Sequence, residues 1–197
     1  MAVALDLFLA SKSPRRAALL SAAGLRFEVC TPGEEYPGGG SEHRAEVGEP
    51  TALARERARR KALGASVPDP GVPVLAVDTV VDLDGVELGK AADERDARAI
   101  LRRLGGREHR VHTAHCLGLG GAICEELATS VVACEEPCDA ALEAYLDSGQ
   151  WRGKAGCYGI QDSAQSFLRL VDGAFDTVVG LHIAAVRRLL QRVREAE

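Results

Sequence analysis

Residues 7–20 read LFLASKSPRRAALL: an apolar run stops, a Ser-Pro pair opens a helix, and two arginines fill the first turn. A strand handing over directly to a capped helix sets the chain on an α/β course, since Ser13 suits an N-cap and Pro14 the first helical position. The charges are harder to place. A helix N-terminus carries roughly half a positive charge and several unpaired N–H donors, so Arg15 and Arg16 cost stability there unless an anion sits beside them. With the helix amides they read as a phosphate clamp. The competing reading leaves both arginines solvated, or paired with the surplus carboxylates of an acidic chain.

Outward from this stretch, Phe27–Val29 reads as a short strand and residues 31–48 as a Gly-, Pro- and acid-rich loop. Glu34 and Glu35 in that loop belong either to a solvated acidic face or to a metal or substrate contact. Pro50 and Thr51 open a helix whose Leu53, Ala54, Ala58 and Ala62 stripe faces a core, with Arg55, Arg57, Arg59, Arg60 and Lys61 expected mostly in solvent. Val72–Val77 is a nearly continuous apolar run, as for a strand covered on both faces, and is expected to end at Asp78 and Thr79. An acid at the end of a buried strand is where open α/β sheets place chemistry, and also a common turn cap. Asp84-Gly85 signals a hairpin, and Lys90 follows it closely enough to swing back toward Asp78.

Residues 93–104 predict an amphipathic helix closed by Gly105-Gly106, followed by two antiparallel strands about a Gly-rich turn. His109, His112 and His115 have the look of a metal triad. On a strand, however, His112 faces away from the other two, and those lie about 20 Å apart at ~3.3 Å per residue. A helix from Pro137 and Asp139 to Ser148, a GKAGCYGIQD loop, a strand over 166–171 and a terminal amphipathic helix over 181–194 complete a mixed α/β chain.

The chain has 197 residues and a net charge of −5, which suits a single domain and disfavours a protein living on nucleic-acid phosphates. A small-molecule partner is the better expectation. The six cysteines, at 30, 116, 124, 134, 138 and 157, form no CxxC pair and read as reduced and mostly buried. Asp6 interrupts the first apolar stretch, and nothing later approaches the length of a membrane span, so a cytoplasmic protein is expected.

Taken in order, LASKSPRRAALL, ARERARRKA, VLAVDTVVDLDGVELGK, GREHRVHTA and GKAGCYGIQDSAQSFLRLVDGAFDTVVGL resemble the Maf-type nucleoside triphosphate pyrophosphatases over nearly the whole chain. The resemblance implies one domain over 1–197, with an elongated mixed sheet, flanking helices and two lobes around a central cleft, akin to the inosine triphosphatases. It also implies a divalent cation (Mg²⁺ or Mn²⁺), a homodimer, and hydrolysis of a nucleotide to a monophosphate and pyrophosphate.

Residue by residue, Ser11, Ser13, Arg15 and Arg16 match the family's triphosphate loop, Asp78 its proton acceptor, and Lys61 and Lys90 its phosphate-side lysines. Glu35 is the best match for a second acid beside the metal with Asp78, and Glu34 or Glu42 could serve instead. Arg15, Thr79 and Gln161 match positions tied to base choice in the branch acting on dTTP and UTP. Two departures stand out: Gly89-Lys90-Ala91 where GKP is common, and Ile160-Gln161-Asp162 where IQG is common. The second places a carboxylate beside the base-reading glutamine, where an acceptor-only group would favour bases rich in N–H donors. The alternatives are a nucleotide-binding regulator of cell division with little catalysis, or a 7-methyl-GTP or broad-substrate pyrophosphatase of the same fold.

Overall fold

The computed structural model describes residues 5–34 and 49–195. Glu35 and Glu42 lie outside these residues, and Glu34, the last one before that segment, is exposed.

A seven-stranded mixed sheet forms the centre of a mixed α/β fold. The first strand, β1 (Leu7–Ala10), is buried along its whole length and runs parallel to β2 (Phe27–Cys30) and to β3 (Val74–Leu83). Between them lie α1 (Pro14–Ala22) and α2 (Pro50–Leu63). Beyond β3 come β4 (Val86–Leu88), α3 (Glu94–Leu104), β5 (Arg107–Leu119) and β6 (Ala122–Cys134). The chain closes with α4 (Asp139–Asp147), a 3₁₀ turn at Ala155–Cys157, β7 (Leu168–Asp172), α5 (Phe175–Val179) and α6 (Ile183–Glu195). The sheet order is β2-β1-β3-β5-β6-β7, with β4 paired to β3. The β3–β4 hairpin turns on Asp84 and Gly85, both at positive φ, as the Asp-Gly pair foretold.

Two expectations need correction. The strand through Val77 does not end at Asp78; it runs on to Leu83. What ends is its pairing with β1, whose last partner is Ala76. Along that same edge β4 pairs only from Val81 to Leu83, while β5 holds the opposite edge from Val74 to Asp82. Residues 77–80 of β3 therefore lie in a gap between two partner strands, with the β1–α1 turn on one side and the β4 exit at Gly89 on the other.

The second correction concerns α2. Its buried stripe is Ala54, Arg57, Ala58 and Lys61, an i, i+3, i+4, i+7 set in which two of the four are cations. The charge-rich composition of this helix hid the fact that two charges share the alanines' face.

Strand alternation divides the core. On one face α2 covers Val80, Ala114 and Cys116 with Ala54 and Ala58. On the other face two apolar clusters sit side by side. One gathers Leu9, Leu75, Val77 and Leu117 under Leu20 and α6; the other gathers Val81, Leu83 and Val111 under α3, α4, Trp151 and Tyr158. Thr79 and Thr113, paired across β3 and β5, form a polar seam between them. All six cysteines are free thiols, three of them buried and Cys138 exposed. Among the described residues no helix is long and apolar enough to cross a membrane.

Candidate active site

A cleft taking in about 880 Å³ of empty space, open to solvent, lies at the gap in the β3 edge. Because the sheet is interrupted there, Asp78 from the α2 face and Thr79 from the opposite face both reach it.

Asp78 is 4% exposed, and its Oδ1 accepts a hydrogen bond from Lys61 Nζ at 2.7 Å. Arg57 Nη1 lies 4.0 Å from Asp78 Oδ2 and also grips Glu87 of β4 through a two-pronged pair, at 2.5 and 2.8 Å. Helix α2 thus lays a lysine and an arginine against two carboxylates of the β3–β4 hairpin. Buried charges of this kind are tolerable only when paired and hydrogen-bonded. Lys90, half-buried just past β4, lines the same cleft.

The N-terminus of α1 faces the cleft with Ser13, Arg15 and Arg16. Ser13 makes no side-chain cap, and the first turn holds no acidic residue, so positive potential is left uncompensated where an anion would fit. The two arginines differ in role. Arg16 donates from Nε to Gly180 O at 2.8 Å, from Nη1 to Ser11 Oγ at 3.0 Å and from Nη2 to Thr79 Oγ1 at 3.2 Å. It pins the α1 start to β3 and to the loop after α5. Ser11 sits behind the cleft wall, accepting from Arg16 and from the Ser13 N–H. The hydroxyl hydrogens along the seam are all assigned. Thr113 donates to Thr177 O at 2.8 Å, so the 3.1 Å contact between the two threonines must be donated by Thr79. Thr79 faces the cleft with acceptor capacity alone.

The far wall is the loop 153–161. Arg15 is drawn below the ordinary guanidinium value by burial, with Asp162 and then Tyr145 opposing the shift. Lys154 is lowered by burial as well, against the hydrogen bond and charge of Asp162. The two form an ion pair with side chains 11% and 7% exposed. Asp162 is therefore no bare acceptor beside the glutamine: it also takes hydrogen bonds from Tyr145 Oη at 2.7 Å and the Gly159 N–H at 2.9 Å. Gln161 is exposed at the cleft.

The histidines of β5 have separate partners. His109 Nε2 meets Tyr158 Oη at 2.6 Å, and His112 bridges Thr129 and Asp82 at 2.9 and 3.2 Å. His115 accepts the His182 N–H on Nε2 at 2.9 Å and faces Glu126 O from Nδ1 at 3.3 Å.

The cleft thus gathers Ser13, Arg15, Arg16, Lys61, Asp78, Thr79, Lys90 and Gln161. Arg57, Glu87 and Lys154 join them without having been singled out as site residues. The helical spacing of Arg57 from Ala54 and Lys61 was the available signal for the first. No three His, Cys, Asp or Glu side chains cluster as a metal cage among the described residues. A magnesium-like ion needs only one or two carboxylates when substrate phosphates supply further oxygens, and Asp78 beside an anion-binding helix end fits that donor set.

A family model described as "Maf-like protein" matches residues 6–193. The "dTTP/UTP pyrophosphatase" of Thermus thermophilus is 45% identical over 184 residues, 93% of this chain and 92% of that protein. The proteins of the same description from Bordetella pertussis and Pyrococcus horikoshii are 41% and 38% identical, over 94% and 93% of this chain and 91% and 94% of their own lengths. The solved Ham1 protein of Staphylococcus aureus aligns at a TM-score of 0.39 and 15% identity, over 66% of this chain and 70% of that one, too slight a likeness to bear on the site.

Proposed function

The chain belongs to the Maf-like protein family, and we propose that it is a nucleoside triphosphate pyrophosphatase acting on dTTP and UTP. The observation that carries the reading is a single cleft in which a buried carboxylate, Asp78, stands beside a helix N-terminus, three arginines and three lysines. With both Glu87 oxygens taken by Arg57, that leaves one acid for water and many cations for a polyphosphate. The identity of 38–45% over more than nine-tenths of three relatives named for this activity supports the substrate class.

Cleavage between the α- and β-phosphates needs water in line with the α-phosphorus and stabilisation of the departing pyrophosphate. In this reading Asp78 Oδ1, held by Lys61, orients the water and accepts its proton. The α1 amides hold the triphosphate, Arg16 fixes the helix start that presents them, and Lys90 meets the leaving oxygens. A divalent cation, held by Asp78 with Glu35 and phosphate oxygens, would supply Lewis-acid neutralisation of the phosphates. Glu34 and Glu42 are the other loop acids that could share this task. Gln161, Arg15 and Thr79 line the end where the base sits.

The reading also carries one domain over the whole chain, a cytoplasmic location and a homodimer, the last measured by light scattering in solution. The activity is tested by phosphorus NMR of the reaction with dTTP or UTP, without added phosphatase. The expected products are nucleoside monophosphate and pyrophosphate. Stoichiometric nucleoside diphosphate with orthophosphate, or no turnover of either nucleotide, would overturn it.

A further inference from the structure

We infer that Asp162 is a positioning residue for base selection, acting through Gln161 to favour bases that present an imino N–H between two carbonyls. The inference rests on the pyrophosphatase reading and deepens it.

Gln161 Nε2 lies 3.3 Å from Asp162 Oδ1. A carboxylate only accepts, so the nitrogen end of the amide is the end that can meet it, and the O/N ambiguity of a glutamine is removed by chemistry. Asp162 cannot turn away to accommodate the reverse orientation. Its oxygens also receive the Tyr145 hydroxyl, the Gly159 N–H and the Lys154 ammonium, and its side chain is 7% exposed. Both side-chain ends lie close against the Gly159 backbone, where a Cβ would come within 2.6 Å of Asp162 Oδ1 and of Gln161 Nε2. Asp162 itself is not part of the cleft wall, whereas Gln161, Lys154 and Arg15 are.

The amide therefore offers the cleft its carbonyl oxygen as an acceptor, with the donors of Arg15 and Lys154 in the same wall. An acceptor for the imino N–H, with donors in the same cleft for the flanking carbonyls, suits the edge of uracil and thymine. Cytosine places a ring-nitrogen acceptor where uracil has the N–H, so two acceptors would face each other. A site built to hydrogen-bond one polar edge rejects its mismatch strongly, because buried partners are left unpaired.

The test compares kcat/KM for UTP, CTP and 3-methyl-UTP in the unaltered protein and in Asp162→Asn, with folding followed by thermal unfolding. The unaltered protein is expected to prefer UTP over both others by at least about tenfold. The asparagine side chain can either donate or accept, so the Gln161 amide is released to turn over and the UTP-to-CTP ratio is expected to collapse about tenfold. A merely structural role would lower all three substrates together and leave the ratio unchanged, which would overturn the inference. Equal turnover of UTP and 3-methyl-UTP by the unaltered protein would overturn it without any variant. No turnover of UTP at all would instead remove the pyrophosphatase reading beneath it.

Discussion

Lys61 Nζ and Asp78 Oδ1 meet at 2.7 Å between the helix α2 and the strand it covers, with side chains only 10% and 6% exposed. The pair holds a charged carboxylate in place at the floor of a cationic cleft. Replacing Asp78 by Asn keeps the shape and removes the proton acceptor, so turnover of UTP is expected to fall about 10²–10⁴-fold. Nucleotide affinity should change little, while the loss of the charge that pairs buried Lys61 should lower the thermal unfolding temperature. A variant keeping more than about a tenth of the original kcat would remove Asp78 from the chemistry.

Arg57 and Glu87 form the second buried pair, and each is expensive to leave alone. Arg57→Met or Glu87→Leu should each destabilise the fold by roughly 3–5 kcal/mol, while the double substitution should recover most of the loss. Urea unfolding of the four proteins decides this. Additive losses in the double variant would mean that the two side chains are not energetically coupled.

Removal of divalent cations by a chelator should abolish turnover, and added Mg²⁺ or Mn²⁺ should restore it. The same titration should leave thermal unfolding nearly unmoved in the absence of nucleotide, because the donor set is completed by substrate phosphates. Full activity in excess chelator would exclude the metal from the reaction.

Burial lowers His109 and His115 to about 4 from their ordinary 6.5. His115 has a specific reason to stay neutral, since its Nε2 already accepts the His182 N–H and a proton there would meet a donor. Between pH 6.5 and 4 the unfolded chain binds protons that the folded one refuses, so stability is full above about 6.5 and declines as pH falls toward 4. The loss approaches roughly 3 kcal/mol per histidine. Urea midpoints measured from pH 7.5 to 4.5 should show this slope, and His115→Gln should flatten it; an unchanged slope in that variant would assign the decline elsewhere.

Much of the architecture was readable because it rests on local signals. The Ser-Pro start of α1, the Asp-Gly turn, the Gly120-Gly121 reversal between β5 and β6 and the period-two pattern of β5 each encode their own geometry. The five-residue helix α5 escaped detection, being too short to show a period. The extent of β3 beyond Asp78 escaped for another reason. Nothing in residues 78–80 distinguishes a strand that stops from one whose neighbour stops, because the difference lies in pairing with residues about seventy positions earlier.

The site follows the same division. Arg15, Arg16 and Lys90 announce themselves by being charges beside the ends of regular elements, and Asp78 by being a charge within an apolar run. Arg57 does not, because a fourth arginine in an arginine-rich helix looks like solvent-facing ballast until its rotational position is known. Asp162 was visible as a departure, but sequence alone could not say that Lys154 and Tyr145 would occupy its oxygens.

The interrupted edge of β3 also governs how the molecule can move. On its other side β5 and β6 run unbroken for thirteen residues each, about 40 Å, under both apolar clusters. The halves flanking the cleft are thus mounted on one continuous spine. Rotation of one half against the other would be borne by twist distributed along these strands, as in a bent leaf spring. The middle of β5 and β6, remote from the substrate, therefore sets the elastic resistance to such a rotation.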